Sequence, residues 1–325
     1  MKQKTLFQIL RIAVLILIVY FVFGRNLPAI KDVLRLLPLP FLLGLLALDM
    51  VYYLLEGFAY CLAFLHRNKI SLKQGFTLSM LGMFANVTTA GVGAVPLQTF
   101  YLYKQGIDAG NAAGTFLFSY VLHKLSVILL AAGFSLFAVF AGRPDLSTYY
   151  PYMIYGFGTG ILICVLMCAA ALNKRLNAFA HKLICKMPDR YGKQRDSLLK
   201  NLDLLQEEVS YDLKDLKTDI QILLVDVLKF LTLCLLPALI CRKLGYSVSL
   251  PDAMLYMALI LALSGSLPNV SGMGPIEFAF LLFYGPVIGN ENVAGLLLVY
   301  RLANYFFPFL ISLIIVMFVR KDRNG

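Results

Sequence analysis

The sequence contains no tryptophan, and only 14% of its 325 residues are charged. Soluble domains carry roughly 25% charged residues. With 60% hydrophobic residues and a mean hydropathy of +0.77, the chain lacks the polar surface that a water-soluble globule of this size needs. Sparse charge, with apolar runs recurring from end to end, excludes a disordered chain, a collagen-like chain, a disulfide-rich secreted fold and a soluble enzyme with one anchor. Metal and redox signatures are missing as well. Cys61, Cys164, Cys168, Cys185, Cys234 and Cys241 show no CxxC spacing. Five lie in or beside apolar runs and Cys185 in a basic segment, so they read as small apolar filler. There is no HExxH, and His66, His123 and His181 are scattered, with no convincing Ser/His/Asp set. No metal or cofactor is expected. The net charge of +11 comes with no nucleic-acid recognition module. Lys and Arg concentrated in cytoplasmic loops account for it.

What the sequence does have is long apolar runs. A membrane helix takes about 20 residues. Runs fall at roughly 6–23, 40–65, 111–141, 151–172, 218–241 and 291–319. Lys2 and Lys4 precede the first, as in a signal peptide, but no small-x-small cleavage site follows and a retained helix is expected. Two further runs are interrupted. Residues 71–104 break at Thr88 to Pro96, and residues 250–286 at Leu267 to Pro275. Proline and paired glycines stop a helix, and each proline suits the first turn of the next one. Each run therefore predicts a longer helix, a loop and a short helix. The fold expected is an all-α polytopic membrane protein, with about six full spanning helices and two broken re-entrant helical elements.

Charge sets the orientation. Residues 173–217 hold ten Lys and Arg, and basic residues also mark both ends of the chain. If both broken runs turn back, 19 Lys and Arg fall on one side and six (Arg25, Lys31, Arg35, Arg143, Arg242, Lys243) on the other. That places both termini on the cytoplasmic side of a bacterial-type inner membrane. Within 173–217, Leu198, Leu199, Leu202, Leu205 and Val209 recur at helical spacing. They describe either an amphipathic helix at the cytoplasmic surface or a solvated linker helix.

The two halves match at an offset of 181 residues: Gly91-x-Gly93 with Gly272-x-Gly274, Tyr103 with Tyr284, and Asn111-x-Ala113-Gly114 with Asn292-x-Ala294-Gly295. Upstream, Ser71-Leu72 matches Ser249-Leu250 with three residues of slippage. The reading is one integral membrane domain, 1–325. Repeat one covers about 40–142 and repeat two about 218–320, joined by a spanning helix at 151–172 and the basic segment 173–217. In the re-entrant topology the repeats are inverted, a plan in which transporters hold substrate where broken helices meet. The breaks either line a wet cavity or simply permit close helix packing.

Ionisable residues within apolar runs are costly and mark interior cavities. Here they are Asp49, Glu56, His123, Lys124, Asp226, Lys229, Glu277 and Arg301. Asp49 and Glu56, seven apart, share a helix face. Asp226 and Lys229, three apart, can pair locally, and His123 suits a packed or hydrogen-bonded position. Glu277 stands in the first turn of a helix, where a capping role competes with a functional one. Arg301 and Lys124, with backbone N–H groups around Gly91, Gly93, Gly272 and Gly274, suit a phosphate. Glu277, Asp49, Glu56 and Asp226 suit a head-group amine or a coupled proton. A phospholipid head group with a phosphate and an amine fits both sets.

The run Leu267-Pro268-Asn269-Val270-Ser271-Gly272-Met273-Gly274-Pro275-Ile276-Glu277, with Leu298-Val299-Tyr300-Arg301-Leu302 and Tyr305, resembles the membrane region of the lysylphosphatidylglycerol synthase/flippase family, the multiple peptide resistance factors. Thr89-Ala90-Gly91-Val92-Gly93 with Pro96 is similar to that family's earlier Gly-rich break. Asn269 and Ser271 depart from its Pro-Gly turn. The resemblance spans roughly 6–319. It implies a flippase region for aminoacylated phosphatidylglycerol or a related anionic or zwitterionic lipid, and resistance to cationic antimicrobial peptides. Glu277 and Arg301 match the family motif directly; Asp49 or Glu56 matches an acid in an early helix. The family's soluble acyltransferase-like domain has no counterpart in these residues, so lysylphosphatidylglycerol synthesis by this stretch alone is not expected. Two other readings stay open: a phosphatidylglycerol lysyltransferase component acting with a separate soluble domain, and an ion-coupled small-solute transporter. Partner candidates are membrane phospholipid, a separate soluble lipid-modifying transferase or glycosyltransferase, and a second copy of the chain, with no nucleic acid.

Overall fold

A computed structural model describes residues 37–66, 68–89, 92–142, 146–186, 192–267 and 274–321. The run 6–23, Gly91, Gly272 and most of the second break lie outside the described residues. Every described element of regular structure is helical. In chain order these are α1 (Leu39–Ala63), α2 (Leu72–Thr88), α3 (Ala94–Tyr103), α4 (Ala109–Phe140), α5 (Tyr150–Leu172, entered through a 3₁₀ turn at Ser147–Tyr149), α6 (Lys174–Cys185), α7 (Gly192–Asp212), α8 (Leu216–Leu244), α9 (Leu250–Ser264), α10 (Pro275–Ile288), α11 (Asn290–Arg301) and α12 (Phe307–Lys321). A π-helical turn, Leu302–Phe306, joins α11 to α12.

Among the described residues, five helical stretches are long and apolar enough to cross a bilayer: Leu39–Ala63, Ala109–Phe140, Ser147–Leu172, Leu216–Leu244 and Asn290–Val319. They coincide with five of the runs read from the sequence. Both interrupted runs resolve into a longer and a shorter helix, α2 with α3 and α9 with α10, as their Pro and Gly residues dictate. Ile154, Ile161, Leu162, Val165 and Leu166 on α5 stay exposed. Side chains of this kind suit acyl chains, which are as apolar as leucine.

The internal repeat is written in the helix starts. α3 and α10 begin at Ala94 and Pro275, and α4 and α11 at Ala109 and Asn290, both at the 181-residue offset. α2 and α9 begin after equivalent serine caps. Gln74 N–H donates to Ser71 Oγ, and Asp252 N–H to Ser249 Oγ, each at 3.3 Å. Tyr103 and Tyr284 are not equivalent in environment: the first is exposed, while the second is buried and donates to the Ala253 carbonyl at 2.7 Å.

Packing then fixes how the halves relate. α1 packs on α8, the first helix of one half on the first helix of the other. His66 meets Thr218 at 3.1 Å, Glu56 meets Lys229 at 3.1 Å, and the Tyr52 and Phe230 rings lie 6.2 Å apart. Residue numbers fall along α1 as they rise along α8, so the two helices are antiparallel. Contacts elsewhere are exchanged: α2 packs on α12, and its counterpart α9 packs on α4. This reciprocity is that of a twofold interface. Equivalent helices lie antiparallel across such an axis only when it is perpendicular to them, which is the relation of inverted repeats.

Close approach requires glycine at one crossing. A Cβ on Gly57 of α1 would stand 2.6 Å from the backbone nitrogen of Phe76 on α2. α8 starts at Asp215, which accepts from Thr218 N–H at 3.3 Å and lies 3.1 Å from His66. Hydrogen bonding to Thr218 holds the Asp215 carboxyl below the ordinary carboxylate range.

The basic segment forms two helices, and α7 packs on α4, unlike a solvated linker helix. Val209 is fully buried among Ala59, Phe118, Leu122 and Ile222. Asn201 accepts from the Gly110 N–H at 3.1 Å, serving one of the open donors at the start of α4. Gly110 and Gly114 are the notches that α7 fills, since a Cβ at Gly114 would lie 2.8 Å from Glu208. Small residues four apart cannot be told from lipid-facing ones by periodicity alone, which is why the sequence concealed this contact.

Candidate functional site

Two adjoining cavities sit among the long helices. The first, about 270 Å³, is walled by Lys124, Arg301, Asn304 and Tyr305 among others. The second, about 320 Å³, is walled by Glu56, Tyr60, Gln98, Asp226 and Lys229 among others. Tyr52, Tyr53, Met83, Asn86 and His123 line both. Each volume is near the lower end of small-ligand sites, about 300 Å³.

Arg301 closes α11, where the π turn widens the helix. The turn stands just before Pro308. Proline has no N–H to bond the carbonyl four residues back, and its ring crowds that carbonyl, so a regular turn is penalised there. Arg301 Nε and Nη2 both donate to Glu277 Oε1, at 2.8 and 2.5 Å. Glu277 Oε2 accepts from the Gly274 N–H at 2.6 Å, at the start of α10. Gly274 has φ of +98°, a conformation open to glycine and few others. One carboxylate thus caps α10 and ties it to α11. The sequence assigned Glu277 and Arg301 to opposite ends of a ligand; the structure joins them to each other.

Lys124 belongs to the same cavity. Its Nζ donates to the Gly265 carbonyl at 2.6 Å, at the negative end of α9, and lies 5.3 Å from the Tyr120 ring centre. Arg301 stacks on Tyr305 at the same 5.3 Å. At the 181-residue offset Tyr120 corresponds to Arg301 and Lys124 to Tyr305. Each half therefore presents a cation and a tyrosine four residues apart, in opposite order. Cation–π contact holds both cations without adding negative charge.

The second cavity centres on Lys229, 2% exposed. Its Nζ lies 2.6 Å from Asp226 Oδ1, 3.1 Å from Glu56 Oε2 and 3.1 Å from His123 Nδ1. Tyr60 donates to Glu56 Oε1 at 3.0 Å, and Gln98 Nε2 donates to Tyr60 at 3.3 Å and to the Leu78 carbonyl at 2.9 Å. Asp226 and Lys229 pair as their spacing predicted, and Glu56 and His123 join them from α1 and α4. Buried charge of this kind is tolerated only when paired and hydrogen-bonded.

Asp49 stands apart. It is fully buried, and its Oδ1 accepts from Asn304 Nδ2 at 3.1 Å. Asp49 Oδ2 and the Tyr300 hydroxyl are buried and have no hydrogen-bond partner among the described residues. Tyr300 lines the first cavity. Polar atoms left in this state mark places for water or a ligand. Asp49 and Glu56 do share a helix face, but they serve different neighbours.

The glycine contributions are weaker than the sequence suggested. Gly93 N–H donates to Thr89 Oγ1 at 2.7 Å, as Gly274 N–H does to Glu277. Neither N–H points at an open anion site, while Gly91 and Gly272 lie outside the described residues. Tyr60, Gln98 and Asn304 were missed because a search for charge passes over neutral polar side chains. A search for Asn, Gln and Tyr inside apolar runs would have found them. All six cysteines are free thiols, and no group of three or more His, Cys, Asp or Glu is arranged to hold a metal among the described residues.

The chain matches the protein family described as the lysylphosphatidylglycerol synthase TM region over residues 8–312. No curated protein and no solved structure matches it.

Proposed function

We propose, for a chain that belongs to the family of lysylphosphatidylglycerol synthase transmembrane regions, that it carries a phospholipid head group across the membrane between its two halves. The cargo class is an aminoacylated phosphatidylglycerol or a related anionic or zwitterionic lipid. The phosphate would face Arg301 and Lys124 in the first cavity, and an amine would face Glu56 and Asp226 in the second, with Asp49 as the carboxyl beside the passage. Acyl tails would remain among lipid outside the helices. Moving a cationic lipid to the outer leaflet would lower the attraction of cationic peptides for the cell surface. The membrane in question would be the cytoplasmic membrane, with both termini inside.

The observation that carries this reading is the shared wall. One cavity holds cations stacked on tyrosines, its neighbour holds two carboxylates around one lysine, and Tyr52, Tyr53, Met83, Asn86 and His123 belong to both. Opposite charge in adjoining compartments is the complement of a head group that carries both signs.

The test is translocation in reconstituted vesicles with fluorescent lysylphosphatidylglycerol. Wild-type protein should equilibrate the label across the bilayer. Arg301→Ala and Glu277→Gln should each slow it by more than tenfold while the helices stay folded. Unchanged rates in both folded variants would remove the site. Formation of a new lipid, or uptake of a water-soluble amine without lipid movement, would replace the reading with an enzyme or a solute transporter.

A further inference from the structure

α6 has three distinct faces. It begins two residues after α5 ends, with Asn173 between them accepting from the N–H groups of Arg175 and Leu176 at 2.9 and 3.2 Å. The chain thus leaves a candidate membrane span and enters α6 with no linker. At about 100° per residue, Asn177, Ala180, His181 and Ile184 form one face. That face is partly buried, with His181 Nε2 2.8 Å from Asp203 of α7 and Asn177 bonded to Gln206. Leu176, Phe179 and Leu183 form a second face and are 50%, 62% and 58% exposed. Arg175, Lys182 and Lys186 fall together at the edge of that apolar face. Residues 174–186 contain four Lys and Arg and no acidic residue.

An apolar stripe bordered by cations on a helix continuous with a membrane span fits a lipid–water boundary. A basic edge adds attraction to anionic head groups, which falls off within a Debye length. The stems of Arg175, Lys182 and Lys186 can lie along acyl chains while their charged ends reach phosphate. We propose that α6 is an interfacial anchor that recognises an anionic lipid surface. It sinks Leu176, Phe179 and Leu183 to the level of the upper acyl chains and sets Arg175, Lys182 and Lys186 on lipid phosphates. This role is separate from head-group transport in the cavities. It reaches the transport helices through α7, which packs on α4 at Gly110 and Gly114.

The absence of tryptophan supplies the assay. Phe179→Trp in the full chain creates a single tryptophan on the apolar face, and Ala178→Trp creates one on the exposed polar side, each excited at wavelengths where the tyrosines do not absorb. Both are reconstituted in vesicles of phosphatidylcholine alone and of phosphatidylcholine with phosphatidylglycerol. In the mixed vesicles, Phe179→Trp emission should shift to the blue and be quenched by acyl-chain-brominated lipid. Ala178→Trp emission should be quenched by aqueous acrylamide. Removing phosphatidylglycerol, or adding Arg175→Gln, Lys182→Gln and Lys186→Gln to the Phe179→Trp chain, should reverse the blue shift. Acrylamide quenching of Phe179→Trp in both vesicle types would overturn the proposal and leave the face for a soluble protein partner. Burial in lipid that is equal in both vesicle types would overturn the recognition of anionic lipid. Either result is independent of whether the protein moves lipid.

Discussion

Replacing Lys229 with methionine should cost the fold about 3–5 kcal/mol, the range for breaking a buried ion pair by removing one partner. Lys229 and Asp226 are each 2% exposed, and Lys229 lies within 3.1 Å of Glu56 as well. Methionine fills a similar volume, so cavity formation contributes little. What is lost is the one ammonium between two carboxylates, leaving like charges facing each other in a low-dielectric site. The cost should therefore sit toward the upper end of that range. A companion variant separates charge from packing. Lys229→Met combined with Glu56→Gln and Asp226→Asn removes all three charges and keeps an oxygen for the Tyr60 hydroxyl. Its stability should return to within about 1 kcal/mol of wild type, since apolar or neutral replacement of a buried ionic set is often close to neutral. Equilibrium unfolding in mixed micelles, followed by helical circular dichroism, reads both. If the triple variant is as unstable as Lys229→Met alone, uncompensated charge is not the cause and the electrostatic account of the second cavity fails.

Other outcomes follow from single contacts. Gly57→Leu should destabilise the fold by about 1–3 kcal/mol or more through overpacking. Gly44→Ala on the same helix, with nothing within 4 Å of the new Cβ, should be neutral or stabilise by up to about 1 kcal/mol; destabilisation equal to that of Gly57→Leu would refute the α1–α2 crossing. Gln98→Leu leaves the Leu78 carbonyl and Tyr60 hydroxyl without their amide and should cost about 1–3 kcal/mol, visible as a lower thermal midpoint in detergent. The Asp215 carboxyl is held low in the folded chain. Its stabilisation is fully present above the unfolded carboxylate pKa of about 3.9 and is lost as pH falls through the folded value. Asp215→Asn should keep the cap and flatten the acid limb of a stability–pH curve, whereas Asp215→Ala should lower stability by about 1 kcal/mol at neutral pH. An acid limb unchanged in Asp215→Asn would assign it to other groups.

The helix plan was legible because its signals are strong and local. Apolar runs of bilayer length have few alternatives, and Pro with paired Gly fixes where a helix must stop. That is why the breaks at Thr88 to Pro96 and Leu267 to Pro275 separate α2 from α3 and α9 from α10. The repeat was legible at its glycines and asparagines, and the structure extends it to the serine caps and helix starts. Partnership was less legible. Lys229 could be paired with Asp226 from spacing, but Glu56 is 173 positions away and only the antiparallel packing of α1 on α8 joins them. Arg301 and Glu277 were both singled out, yet sequence distance does not tell a ligand contact from a mutual one. The π turn follows from Pro308, and the helical recurrence of Leu205 and Val209 marks a buried face of α7, but only the tertiary fold shows that this face docks on α4.

The most direct measurement is photocrosslinking from position 83 in native membranes. Met83 is buried and lines both cavities. A photoreactive amino acid there should attach to phospholipid, with mass spectrometry finding the head group on the adduct, and Arg301→Ala should reduce the yield. Adducts only to neighbouring helices or to water, with no lipid in wild-type protein, would contradict a head-group passage between the two halves.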